Sequence, residues 1–434
     1  MASRNVGIGA GFPCHAHGKI SKIRTLTVDL SRFLGKDLFL MPPSSQSPRA
    51  SLAPPAVAGK PVGRCESLDT VRGLLLVVMA LNHIPSVLAP LTQQPLGFAT
   101  AAEGFVFIAG LVVGLVYGGR WERQGPYATT RSLLARAGVI YQAHLACVFG
   151  IFAWMVLYAS DHATAQLPVA SPWIWFQKPW SSWLATLLLV NQPGLLDVLP
   201  TYCGLIAITP LVLGELAKGR KWRLLAITIL WWAATNYFDP PRPTVIGVIN
   251  TGAFNFGAWQ LLYVIGVMAG HAWLRGTLPD WRPGRVTVAA LVLAVVFFSA
   301  CSHHWLTLGL SHDTWFALTN KNNLAPVRLL NVGVLVLLGH LCLRGRRDDL
   351  GLPWLAMMGR HSLAVFTVHC VLAMVMLGLP SWFEWHPRGP VIGPVLMLAA
   401  LFVTAACAER RGQAKRSRAM PLVAKRPAAQ HDGM

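Results

Sequence analysis

Between Val71 and Ala408 the chain runs through apolar stretches separated by short connectors, a repetition that few folds can use. A hydrocarbon core of roughly 30 Å takes about 20 helical residues. Ten runs approach or reach that length: 71–90, 99–117, 133–159, 197–216, 223–238, 254–274, 286–305, 327–344, 354–378 and 390–408. Composition agrees, with 54% hydrophobic and 12% charged residues against a globular norm of roughly 45–50% and 25%. The pattern predicts an all-α fold, a polytopic integral membrane protein of about ten transmembrane helices. Trp173–Val190, rich in Trp, is expected to lie at the interface or to re-enter.

The net charge is +20, from 37 Lys and Arg against 17 Asp and Glu. On a soluble surface such an excess points to nucleic acid; in a membrane protein it collects in cytoplasmic loops. Position decides. The N-terminal segment through Arg64, the connectors 118–132, 217–223, 275–285 and 344–350, and the C-terminal tail hold 29 of the 37 cations. The opposite side holds four, Lys178, Arg242, Lys321 and Arg388. This asymmetry predicts both termini in the cytoplasm and no nucleic-acid partner.

Residues 1–63 read as a disordered basic cytoplasmic tail, with a basic interfacial helix over Lys19–Phe39 as the alternative. Residues 64–408 form the expected membrane domain, and 409–434 a second basic tail. Nothing in the N-terminal tail reads as a secretory signal. The eight cysteines show no C-x-x-C pair and no zinc spacing, so neither a disulfide framework nor a metal site is expected. No phosphate-binding loop and no internal repeat is visible, which disfavours an ATP-driven pump.

The four remaining cations, Arg72, Arg136, Arg328 and Arg360, fall inside or at the edges of spans, where an ionisable group is costly and functional by default. Arg72 and His83 are eleven residues apart, so on a helix they share one face within about 20° and differ by about 16 Å in depth. Asp69 lies one turn before Arg72, in ion-pairing range. Glu103, entering from the opposite side, is expected at the depth of His83, where a carboxylate would orient the imidazole as a general base. Arg136 and Arg360 share the level of Arg72, and arginines together suit a phosphate-rich group. Toward the far side Asp197, Tyr202, Trp259, Gln260, Lys321, Asn323 and Arg328 suggest a carbohydrate surface, with an aromatic belt as the plain alternative. His271, His340 and His369, in apolar surroundings or at a helix end, read as structural.

The run Asp69, Arg72-Gly73, Asn82-His83-Ile84-Pro85, followed by Ala101-Ala102-Glu103-Gly104-Phe105 and Leu115-Val116-Tyr117-Gly118, resembles the OpgC family, bacterial membrane proteins that succinylate periplasmic glucans. Leu196-Asp197-Val198-Leu199-Pro200-Thr201-Tyr202, Ala258-Trp259-Gln260, Lys321-Asn322-Asn323-Leu324, Arg328 and Gly359-Arg360-His361-Ser362 continue the likeness, over about residues 66–408. Thr100, Ala109 and Asn331 depart from it. The Arg72 to His83 spacing also resembles the first-helix signature of the wider membrane O-acyltransferase superfamily. The resemblance implies His83 as the catalytic residue and Arg72 as needed for the acyl donor; with the depth argument above, the expected site is His83 with Glu103 for catalysis, and Asp69, Arg72, Asn82, Arg136, Asp197, Tyr202, Trp259, Gln260, Lys321, Asn323, Arg328, Arg360 and His361 for donor and substrate. It further implies no tightly bound cofactor, succinyl-CoA or another acyl-CoA as co-substrate, a periplasmic glucan acceptor, and the bacterial inner membrane as location. A pantetheine arm of roughly 15–18 Å matches the Arg72 to His83 separation. An O-acetyltransferase of another polysaccharide and a sugar or acyl-compound transporter are the competing readings.

Overall fold

The computed structural model describes residues 65–158, 178–192, 194–238, 252–343, 351–378 and 388–419. All belong to the unit Ala50–Met434. They are helical, with no strand among the described residues: α1 (Glu66–Asn82), α2 (Ala89–Thr92), α3 (Ala101–Tyr158), α4 (Pro179–Leu187), α5 (Val198–Ala217), α6 (Lys221–Phe238), α7 (Phe256–Leu274), α8 (Arg285–Ser302), α9 (His312–Thr319), α10 (Pro326–Leu343), α11 (Pro353–Arg360), α12 (Ser362–Gly378) and α13 (Gly389–Ala419). Each of the ten apolar runs is largely helical. By length and hydropathy four helices, α3, α5, α8 and α13, can cross a bilayer, or five if the bent pair α11 and α12 is one span. The basic tail 1–63, residues 173–177 of the Trp173–Val190 segment, and the end of the C-terminal tail lie outside the described residues; the rest of that Trp-rich segment holds the short helix α4.

Two of the expected runs are joined in α3. The joint is Gly125, at φ 80° and ψ 170°, a conformation open to glycine and strained for other residues. Pro126 then starts the second limb, where the missing N–H leaves no bond unmade. Another run is split: α11 and α12 meet at His361 with a bend of 85°. That bend sets Arg360 and Ser362 on different helices.

The tightest packing uses glycine where two helix backbones touch. A Cβ on Gly110 or Gly114 of α3 would lie 2.2 Å from the carbonyl oxygen of Tyr263 or Val267 on α7. Reciprocally, a Cβ on Gly266 or Gly270 of α7 would fall 2.3 or 2.0 Å from the oxygen of Phe107 or Leu111. Such paired small-xxx-small faces let helices pack closely in lipid, where burial of apolar surface gives no drive for association. Gly73 of α1 and Gly359 of α11 form a second contact of this kind, each against the other helix's backbone.

Around these contacts α1, α3, α5, α7 and α12 enclose a core that includes Leu76, Ile140, Trp259, Tyr263 and Phe366. The outside is also apolar. Leu230 and Phe238 on α6, Val286 and Leu293 on α8, and Val395 and Val403 on α13 are exposed, and only 6% of the apolar window of α8 is buried within the protein. An exterior this apolar suits a bilayer.

Candidate active site

The site is built on two helices that run in the same direction. Arg72 of α1 donates to Ser362 Oγ of α12, and His83, the residue capping α1, lies with Nδ1 2.9 Å from His369 Nε2 of α12. Ser362, Phe366 and His369 follow the i, i+4, i+7 spacing that brings residues to one helix face. His83 keeps near-helical backbone angles, φ −98° and ψ 0°, so it stays in register with Arg72 as the eleven-residue spacing requires.

At the Arg72 end lies a small cavity of about 30 Å³, lined among others by Arg72, Arg136, Tyr202, Phe254, Ser362 and Phe366. Asp69 stands 3.8 Å from Arg72. Arg136 makes no hydrogen bond or ion pair among the described residues, and both guanidinium charges act on the Tyr202 hydroxyl. Among the described residues Asp69 is the carboxylate beside these two guanidinium groups, a composition that suits an anion. Phe366 forms the far wall, ring edge-on to His369 at 5.6 Å and nearly parallel to Phe105 at 6.4 Å. The cavity and the histidine pair are thus separated by one aromatic layer.

The expectation for Glu103 is corrected. Its carboxylate pairs with Arg328 at 2.8 Å, both side chains buried, and accepts from the backbone N–H and hydroxyl of Thr100. Arg328 also donates to the carbonyls of Phe98 and Thr319. Glu103 makes no bond to His83. The reason is electrostatic: in a low dielectric a buried guanidinium holds a carboxylate far more strongly than a neutral imidazole does. Asn331 accepts from the N–H of Ala99 and donates to Leu96, pinning the loop before α3 against α10.

Other expected site residues serve the scaffold. Asn82 bonds Thr92 through both amide atoms, closing the α1–α2 turn. Trp259 and Gln260 are buried, not open to a ligand: Trp259 donates to the Asn322 carbonyl, Gln260 to the carbonyls of Thr228 and Gly257. Asn323 joins Asn255 and Asn236, so the segment before α10 is laced to α6 and α7. Asp197 is buried and accepts from the N–H of Ala253 at 2.7 Å. Arg360 and His361 both meet Glu409 of α13, at 3.4 and 2.7 Å, and do not line the cavity. Tyr202 does line it. Lys321 stands over the ring of Phe254, a cavity wall, at 5.5 Å, and its charge acts on both His83 and Asp197.

His369 is the residue that sequence reasoning missed. Its signal was present: it lies seven residues after Ser362, on the face that Ser362 turns toward Arg72. Among the described residues no group of three or more His, Cys, Asp or Glu is placed to hold a metal.

Neither the curated proteins nor the solved structures contain a match to this sequence. The family model described as OpgC protein matches residues 64–413, most of the chain and all of the geometry above. The chain belongs to the OpgC family.

Proposed function

We propose that this protein is an acyltransferase that moves a succinyl group from succinyl-CoA to hydroxyls of a periplasmic glucan. Family membership supports the reaction class. One observation carries the mechanism: α1 presents Arg72 to a cavity shared with Arg136 and, about 16 Å further along the same face, presents His83. The phosphates of the donor would sit at Arg72 and Arg136 from the cytoplasmic side. The pantetheine arm would pass between the rings of Phe105 and Phe366, which part to admit it, and bring the thioester to His83. Only this thin arm then crosses the barrier, so the charged nucleotide never enters the apolar core.

At that point His83 Nε2 takes the proton of a glucan hydroxyl while its oxygen attacks the thioester carbonyl. Collapse breaks the C–S bond, the thiolate takes the proton back from His83, and the products are the glucan ester and free CoA. Each ester adds one carboxylate to the glucan. Lys321, over the ring of Phe254, would hold that carboxylate on the donor. Arg328 would not, being committed to Glu103.

The test is transfer of labelled succinyl from succinyl-CoA to glucan in membranes that contain equal amounts of wild type, His83→Ala or Arg72→Ala. Loss of transfer is expected in His83→Ala, and in Arg72→Ala at limiting succinyl-CoA. Unchanged anionic substitution of the glucan with His83→Ala would sink the mechanism, and uptake of succinate compounds without thioester cleavage would favour a transporter.

A further inference from the structure

The mechanism above leaves one buried titratable group beside His83 without a task. The rings of His83 and His369 lie 11° from parallel and edge to edge, with centroids 4.9 Å apart and facing nitrogens within hydrogen-bond distance. His369 is buried, and its other nitrogen, Nδ1, has no hydrogen-bond partner among the described residues. Its surroundings are the edge of Phe366, the apolar face of α12 and His83 itself.

A hydrogen bond between two neutral imidazoles ties their tautomers together. If the shared proton sits on His83 Nδ1, the lone pair of His83 is on Nε2 and free to act as a base. If it sits on His369 Nε2, His83 carries its own proton on Nε2 and has no base to offer on the exposed side. We infer that His369 is the positioning residue of the reacting centre, accepting the Nδ1 proton of His83 and so holding His83 Nε2 as the free lone pair. The inference rests on the reading of His83 as general base and deepens it.

The chemistry explains why an imidazole suits this place. A carboxylate partner would put a permanent anion in a low dielectric, and the carboxylate expected there, Glu103, is neutralised by Arg328. His369 is uncharged until the reaction. When the hydroxyl proton reaches His83 Nε2 and the hydroxyl oxygen bonds to the thioester carbon, the Nδ1–H to His369 bond becomes charge-assisted and spreads the new positive charge. Breakage of the C–S bond then draws the proton from Nε2 to the departing sulfur, and the pair returns to neutrality. The shared proton never leaves the pair.

The experiment uses the full-length protein purified in detergent, with succinyl-CoA and a linear glucan oligosaccharide. His369→Phe keeps the ring and removes the acceptor nitrogen; it is expected to lower turnover on the order of 100-fold, with the KM for succinyl-CoA kept within about twofold. His369→Gln places an amide oxygen near the lost Nε2 and is expected to recover turnover to within about tenfold of wild type. Wild-type turnover in His369→Phe, with His83→Ala inactive, overturns the inference alone. Wild-type turnover in His83→Ala instead overturns the reading beneath it. Nitrogen-15 histidine spectra of the wild-type protein give an answer even where a variant does not fold: a proton on His83 Nδ1, assigned by its loss in His83→Ala, is expected, and a neutral His83 protonated on Nε2 overturns the inference.

Discussion

Two places in this protein bury arginine, and they do so in opposite ways. Arg328 is enclosed with Glu103 and two backbone carbonyls, so every charge and most donors are satisfied inside the protein. Arg72 and Arg136 face a cavity with one carboxylate close by. The first arrangement is a clamp. It ties the loop Phe98–Thr100, the start of α3 and the start of α10 into one piece. The second suits an anion, because a guanidinium-lined cavity is stabilised when one enters it. The difference teaches that depth in the membrane does not by itself mark function; the test is whether the charge is answered from within.

Breaking the clamp should have the largest effect. Glu103→Gln leaves the Arg328 guanidinium buried without its counter-charge, and a loss of about 3–5 kcal/mol is expected, seen as a lower unfolding midpoint of the detergent-solubilised protein. Pairing it with Arg328→Met should restore part of the loss, since removing both charges removes the desolvation cost as well. A double variant no more stable than Glu103→Gln would break the comparison. At the cavity, Arg72→Ala should cost about 1.5–3 kcal/mol of donor binding, read as a rise of the KM for succinyl-CoA of roughly 10–100-fold. Gly359→Ala separates the two roles from another side. Its new Cβ would fall 1.9 Å from the Asp69 carbonyl oxygen, so α11 must shift from α1, at about 1–3 kcal/mol. The shift should weaken donor binding with it, since Ser362 follows α11 directly. The smallest change is expected from Lys321→Met, which should narrow the preference for succinyl-CoA over acetyl-CoA by about tenfold and leave stability alone; an unaltered ratio removes Lys321 from the acyl site.

The sequence made some of this legible. Arg72, Arg136 and His83 could be placed because each lies on a long apolar helix whose direction and depth follow from counting residues. Depth is one coordinate, however, and contacts need two more. Glu103 and His83 were expected to meet because their depths agree; yet Glu103 faces α10 and His83 faces α12, and which helices stand beside α1 and α3 is set by packing. Trp259 and Gln260 looked like ligand groups for the same reason. Polar side chains in an apolar run signal that a partner exists, and here the partners are backbone carbonyls of α6, α7 and the segment before α10. His369 was passed over because a lone histidine in an apolar helix usually packs; its meaning depends on a second histidine 286 residues away.

What the sequence by itself determined is the class of fold, the membrane as solvent and the face shared by Arg72 and His83, because hydropathy and helical periodicity act along the chain. The tertiary structure decided that Arg328 holds Glu103, that Arg72 and Arg136 line one cavity, and that His83 pairs with His369 and not Glu103. Those outcomes depend on glycine contacts such as Gly73 with Leu355 and Gly110 with Tyr263, which set helix neighbours at sub-ångström tolerance, and no one-dimensional pattern carries that information.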